Sequence, residues 1–207
     1  MNMLTRRAFG VAGLALIFFT SASFAQQPPT VRIRGQIEKA EGDSFDVKSR
    51  GGDMLKVKLV DPGRVMALVK ASLADIKVGS FIGVTAMPQA DGSQKAVAIH
   101  IFLDSQKGVV PDRFGPWDLQ PGSTMTNAIV DTTVAGVDGQ TIMVKYKDGE
   151  KKVIVPPSTP IVAYAPGNKS ELKAGAQIII MGATKQADGS LTTPAINVGR
   201  DGVVPPM

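Results

Sequence analysis

Gln89-Ala90-Asp91-Gly92-Ser93 recurs as Gln186-Ala187-Asp188-Gly189-Ser190, and this pair of pentads decides the fold. Each pentad follows a second echo at nearly the same spacing, Ile76-Lys77-Val78-Gly79 and Leu172-Lys173-Ala174-Gly175. One Asp-Gly turn can arise by chance. Two matched elements at matched positions mark a duplication, with repeat 1 over 30–103 and repeat 2 over 124–200.

Outward from the pentads the texture is β. Val31, Ile33, Gly35 and Ile37 alternate with Arg32, Arg34, Gln36 and Glu38, a period of two. Glu41-Gly42-Asp43 and Arg50-Gly51-Gly52-Asp53 are turn signals bounding strands over 44–48 and 54–60. Arg64 to Ala74 carries Val65, Met66, Leu68, Val69 and Leu73 at the spacing of a short helix or helical turn. Strands over 81–87 and 96–102 follow, around the first pentad. Repeat 2 reads the same way, with strands over 127–134, 141–146 and 151–155 and the turn Val137-Asp138-Gly139. Residues 156–166 read as an irregular connector and 168–173 as the helical slot. Strands over 177–183 and 191–198 end the repeat.

The expected fold class is all-β: two tandem small OB-like five-stranded barrels, each with a short helical element, joined by an irregular linker. Closure removes the edges that a five-stranded meander would expose. An open meander or a sandwich half is the alternative, as is one joint core. The linker 104–123 is long for a connection without regular structure, the kind that is often functional or disordered. It holds the sole Trp117, with Asp112, Arg113, Phe114 and Asp118. It reads as a clasp between the barrels or as a ligand-contacting loop. As the segment without a repeat counterpart, it is where a function is expected.

The first 25 residues differ from the rest. Arg6 and Arg7 precede an apolar run ending near Phe19, and Ser23-Phe24-Ala25 offers small residues to a signal peptidase. This is the pattern of a secretory signal, 1–25, followed by a flexible start, 26–29. Thr5-Arg6-Arg7-Ala8-Phe9 resembles a twin-arginine signal, so that route is preferred to the general secretory one. The expected location is periplasmic or secreted, with no membrane span after cleavage, the apolar run being short of the about 20 residues a span needs. The signal removes two of the 23 basic residues and no acidic one, leaving the remainder at a mild net +3. There is no cysteine, hence no disulfide or thiolate metal site. Residues 201–207 read as a tail.

The strand–Asp-Gly–strand units, the Leu-Lys-x-Gly entry to the fourth strand and the Asp-Gly-Ser turn resemble the bacterial exported OB-like repeat family of unknown function, the DUF5666-type domains. Pro116-Trp117-Asp118-Leu119 and Ser123-Thr124-Met125-Thr126-Asn127 are similar to a subgroup of it. The resemblance implies a periplasmic β-barrel repeat and supplies no catalytic residues.

The residues themselves assemble no catalytic or cofactor motif. His100 is the only histidine, and one imidazole without a second His or a Cys is a poor transition-metal site. The carboxylates Asp43, Asp53, Asp91, Asp138, Asp148 and Asp188 sit almost all in glycine turns, where Asp bonds its own backbone. Arg32, Arg34, Lys48, Arg50, Lys56 and Lys58, with Lys145, Lys147, Lys151 and Lys152, form basic sheet faces. They carry few of the stacking aromatics an oligonucleotide site uses, so no nucleic acid is expected. The reading is a non-catalytic periplasmic binding or interaction module without cofactor, for an envelope protein or a small anionic or glycan ligand. His100, Arg113, Phe114, Trp117 and Asp118 are its candidate contacts. One alternative is a metal- or heme-handling accessory protein or enzyme centred on His100. Another is a structural subunit of an envelope complex that lends its sheet edge to a partner.

Overall fold

A computed structural model describes residues 29–136 and 139–207. The expected signal segment, most of the flexible start and the Val137-Asp138 part of one turn lie outside the described residues. Twelve strands carry the fold: β1 (Thr30–Glu41), β2 (Ser44–Ser49), β3 (Met54–Ala71), β4 (Phe81–Pro88), β5 (Gln94–Ile101), β6 (Arg113–Pro116), β7 (Thr124–Gly136), β8 (Gly139–Tyr146), β9 (Gly149–Val155), β10 (Ile161–Pro166), β11 (Gln177–Lys185) and β12 (Leu191–Gly199). The all-β expectation is met. Helix among the described residues is confined to three-residue 3-10 turns.

The duplicated pentads form the same structure twice. Asp91 Oδ1 accepts from the Ser93 amide at 3.0 Å and from Ser93 Oγ at 2.6 Å; Asp188 does so from Ser190 at 2.9 and 2.6 Å. Gly92 and Gly189 take φ of 81° and 84°, a region open to glycine at no steric cost. These turns close the β4–β5 and β11–β12 hairpins.

The barrels do not follow the repeats. β1, β2 and β3 form the expected antiparallel meander. β3 then pairs in parallel with β12, β12 with β11, and β11 returns to β1, closing five strands. The second ring runs β7, β8, β9, then β5 in parallel with β9, then β4, which returns to β7. Each ring thus takes the three-stranded meander of one repeat and the two-stranded hairpin of the other. Two tandem barrels, one from 30–103 and one from 124–200, are therefore replaced by two barrels with exchanged halves.

The cause lies in Arg64–Ala71. The spacing predicts a short helix there, whereas the segment is the second half of β3. Its apolar residues are spread over both faces because both faces are buried, and such a strand loses its alternation. Val65 faces the core of ring 1, and Leu68 the centre of the molecule. The helical element shrinks to Leu73–Asp75, where the Ser72 amide donates to Asp75 Oδ2 at 2.8 Å. In repeat 2 it shrinks to Lys169–Glu171, and the residues read as an irregular connector contain β10 instead.

β10 is the counterpart of that second half of β3. Val65 pairs with Ile196, and Ile161 pairs with Ile99, the same parallel junction in each ring. β3 and β10 pair antiparallel, with Leu68 opposite Tyr164. These are corresponding residues, and their meeting is what an approximate two-fold axis between the halves requires. The continuation of β3 to Ala71, past the register break between Leu59 and Arg64, carries the chain out of ring 1, so the hairpin that follows closes ring 2.

Each ring has its own core. Ring 1 buries Ile33, Ile37, Phe45 and Val57 against Ile178, Ile180, Ile196 and Val198 of the other repeat. Ring 2 buries Ile82, Val84 and Ile99 against Val130, Ile142, Val144 and Val153. A third cluster lies between them: Leu68, Trp117, Met125, Val162, Tyr164, Ile179 and Met207.

Candidate functional site

The junction between the rings holds three of the five candidate contacts, Trp117, Asp118 and His100. β1 alternates, so Ile33 and Ile37 enter the ring 1 core while Arg32 and Arg34 project outward. The Arg32 guanidinium lies 3.8 Å from the centroid of the Trp117 ring, a cation–π stack. Asp118 binds Arg32 Nη1 at 2.6 Å and takes Arg34 as a fork, Nη2 at 2.7 Å and Nη1 at 3.3 Å. The Arg34 hydrogen bonds, with help from Arg32 and against the opposing effect of burial, pull the Asp118 carboxyl down to about 2. The carboxylate is half exposed, so solvent screens the pair and its contribution to stability is modest. The loop is held by its own bonds: the Trp117 amide donates to the Ser123 carbonyl at 2.8 Å, and Ser123 Oγ donates to the Gln120 carbonyl at 2.7 Å. Trp117 is buried in the central cluster, beside residues of both rings.

His100 lies elsewhere in the same junction. Alternation suggests an exposed or half-buried polar residue, but the side chain is only 4% exposed. Its ring meets Phe102 edge-on at 4.7 Å and Tyr164 at 5.7 Å. Phe102 in turn stacks between Phe81 at 4.7 Å and Tyr164 at 5.4 Å. Its cross-strand partner is Gly83, where a Cβ would fall inside the imidazole, so the close approach needs glycine at that position. Burial alone pushes the imidazole down to about 3 and Tyr164 up to about 12. His100 is therefore neutral at physiological pH. Among the described residues no three His, Asp or Glu side chains gather as a metal site would require.

Arg113 and Phe114 sit in a third place, on β6, a short strand that among the described residues pairs only with β7. Arg113 is exposed. Phe114 lies 6.2 Å from the Tyr146 ring, with Lys151 Nζ 4.5 Å from its centroid. The five candidates do not converge on one site. Several concavities line the surface of the described residues. One of about 550 Å³ runs beside Lys70, Arg200 and Val203, and one of about 410 Å³ along β1 beside Arg32, Arg34 and Arg50.

Two features escape a residue-by-residue search for chemistry. The first is the convergence of Arg32, Arg34 and Arg50 with the tail: Arg34 Nε donates to the Met207 carbonyl at 2.6 Å, and Arg50 donates to that of Pro205. The second is legible as a motif. Gly108-Val109-Val110-Pro111 in the linker recurs as Gly202-Val203-Val204-Pro205 in the tail, with φ of 74° and 78° at the two glycines. The linker is thus not without a counterpart; its first part repeats in the tail.

These features define a class by architecture: two five-stranded β-rings, built by exchange between two repeats, with Trp117 buried between them. No family model, curated protein or solved structure matches the chain. The likeness to the DUF5666-type repeats accordingly rests on the turn motifs alone.

Proposed function

We propose that this protein is a non-catalytic binding or interaction module of the cell envelope, exported by its N-terminal signal, with each ring an OB-type barrel of the kind the DUF5666-type resemblance implies. The observation that supports this most is where the unusual side chains go. Trp117, Asp118, Arg32 and Arg34 are engaged with one another in holding the rings together, and His100 is packed beneath Phe102 and Tyr164. Among the described residues, part of the β1 edge and surface grooves remain outside, surfaces suited to another chain rather than to an enclosed small substrate. No described helix is long and apolar enough to cross a membrane.

The rival reading, metal or heme handling at His100, needs an accessible basic imidazole, and burial works against it. Titrating purified protein with heme and with divalent zinc, copper or nickel tests the two. The module reading expects no Soret shift and no rise in melting temperature, in wild type and His100→Gln alike. A saturable shift that disappears in His100→Gln would establish the rival. Export is checked by mass spectrometry of the periplasmic form, which should begin at Gln26.

A further inference from the structure

Ring 2 carries a sixth strand, and among the described residues the corresponding edge of ring 1 has none. On β7, β8 pairs with residues from Ile129 onward, and β6 covers the stretch it leaves, Thr124 to Asn127. On β1, β2 begins pairing at Gly35, and Arg50 just past β2 donates its amide to the Arg34 carbonyl at 2.8 Å, so the stretch left is Thr30 to Ile33. The two stretches correspond. Val84 pairs with Thr126, and its counterpart Ile180 pairs with Ile33. Among the described residues no strand pairs with this edge of Thr30–Ile33.

The approach to that edge is built the same way twice. In ring 2 the Gly-Val-Val-Pro segment leads into β6, and Asn127 Nδ2 donates to the Pro111 carbonyl at 3.3 Å. In ring 1 the second copy of the segment leads to the same place. There Arg34, the counterpart of Asn127, holds Met207, and Arg50 holds Pro205. Beside them lies the groove of about 410 Å³, lined by Val31, Leu55 and Leu191 and rimmed by Arg32, Arg34 and Arg50. Nearby carboxylates are Asp118, shared between Arg32 and Arg34, and Asp53 on the rim. The Arg50 guanidinium, partly buried and close to that of Arg34, bonds a carbonyl and has no ion-pair partner among the described residues.

We propose that the edge of β1 over Thr30–Ile33, unpaired among the described residues, is a strand-addition site for an extended acidic segment of a partner protein, which joins ring 1 as β6 joins ring 2. Main-chain bonds to β1 supply the affinity. A carboxylate reaches Arg50, while Arg32 and Arg34, shared with Asp118, keep the rim basic, and the intervening apolar residues cover Val31 and Leu55. Charge selects the partner, because unpaired guanidinium at the rim favours an acidic strand and repels a basic one. The inference rests on the binding-module reading and narrows it to one edge and one chemistry.

The test uses the mature chain, 26–207, with two synthetic heptapeptides, Asp-Val-Asp-Phe-Asp-Val-Asp and the same sequence with Lys for Asp, both blocked at the ends. Hydrogen exchange followed by NMR or mass spectrometry reads protection along the chain. The acidic peptide should saturate and protect amides over Thr30–Ile33, with the Lys peptide at least about tenfold weaker. Arg50→Gln, outside β1, should weaken the acidic peptide about tenfold, the effect of losing one charge-assisted bond. An unchanged thermal melt checks that ring 1 remains folded. Equal binding of both peptides, or no protection over 30–33, would overturn the proposal. So would a dimer by light scattering that protects 30–33 without peptide, since the occupant would then be a second copy. Protection appearing at another surface would overturn the edge assignment and leave the module reading intact.

Discussion

Residues 26–103 and 104–207, produced separately, should give no folded monomer, and mixing them should restore the native β spectrum and a cooperative melt. The reason is the exchange. Without repeat 2, ring 1 loses Ile178, Ile180, Leu191, Ile196 and Val198, each at most 6% exposed in the intact chain. Burial of a side chain of this kind is worth roughly 1.5–3 kcal/mol, so the loss is on the order of 10 kcal/mol. That matches the whole stability of an ordinary domain, about 5–15 kcal/mol. The edges of β1 and β3 that face β11 and β12 are bared as well, which favours association over a monomer. Circular dichroism of each half, then of the equimolar mixture, reads the outcome. A half that melts cooperatively as a monomer would show that a repeat closes on itself and that the exchange is dispensable.

The second large effect is a loss of stability on mild acidification through His100. Its unfolded pKa is about 6.5 and burial holds the folded value down to about 3. The unfolded chain therefore takes up a proton at pH values where the folded chain does not. The stabilising contribution is complete above about pH 6.5 and is lost as pH falls toward 3, with a limiting slope of about 1.4 kcal/mol per pH unit. Between pH 6.5 and 5 this amounts to about 2 kcal/mol. His100 is the only histidine, and Tyr164 beside it, raised to about 12, does not titrate in this range. Asp118 acts lower. Its depressed carboxyl favours the fold above about pH 4 and ceases to do so as pH falls toward 2. Urea unfolding at pH 7, 6 and 5 should show the decline in wild type and a flat response in His100→Gln. An equal decline in both proteins would place the proton uptake elsewhere.

Most individual strands are legible in the sequence because their signals are local. Val31 to Ile37 alternates, and an Asp followed by Gly and Ser bonds the same backbone wherever it stands. The second half of β3 is not legible, because burial of Val65 on one side and Leu68 on the other erases the period of two. The exchange is hidden for a deeper reason. Ile99 and Ile196 occupy the same junction in the two rings and are the same residue, so either hairpin satisfies either meander. Only the path of the chain after Val60 decides between them. His100 misleads because its burial comes from Gly83 across the strand and from Tyr164 in the other repeat. Trp117 stands out by its isolation among prolines and glycines. Its partners Arg32 and Arg34 read as a solvated basic face until the linker is folded over them.

The exchange of hairpins is the centre of this account, and the absence of native cysteine makes it directly measurable. Gln36 and Gln177 are opposite each other across β1 and β11, at a spacing where paired side chains meet. In a barrel closed within repeat 2, Gln177 would instead take the place Phe81 holds and lie opposite Ile129. The double variants Gln36→Cys/Gln177→Cys and Ile129→Cys/Gln177→Cys, oxidised under native conditions and mapped by peptide mass, distinguish the two. Exchange predicts an intramolecular disulfide in the first pair and free thiols in the second. A disulfide in the second pair, with free thiols in the first, would contradict it.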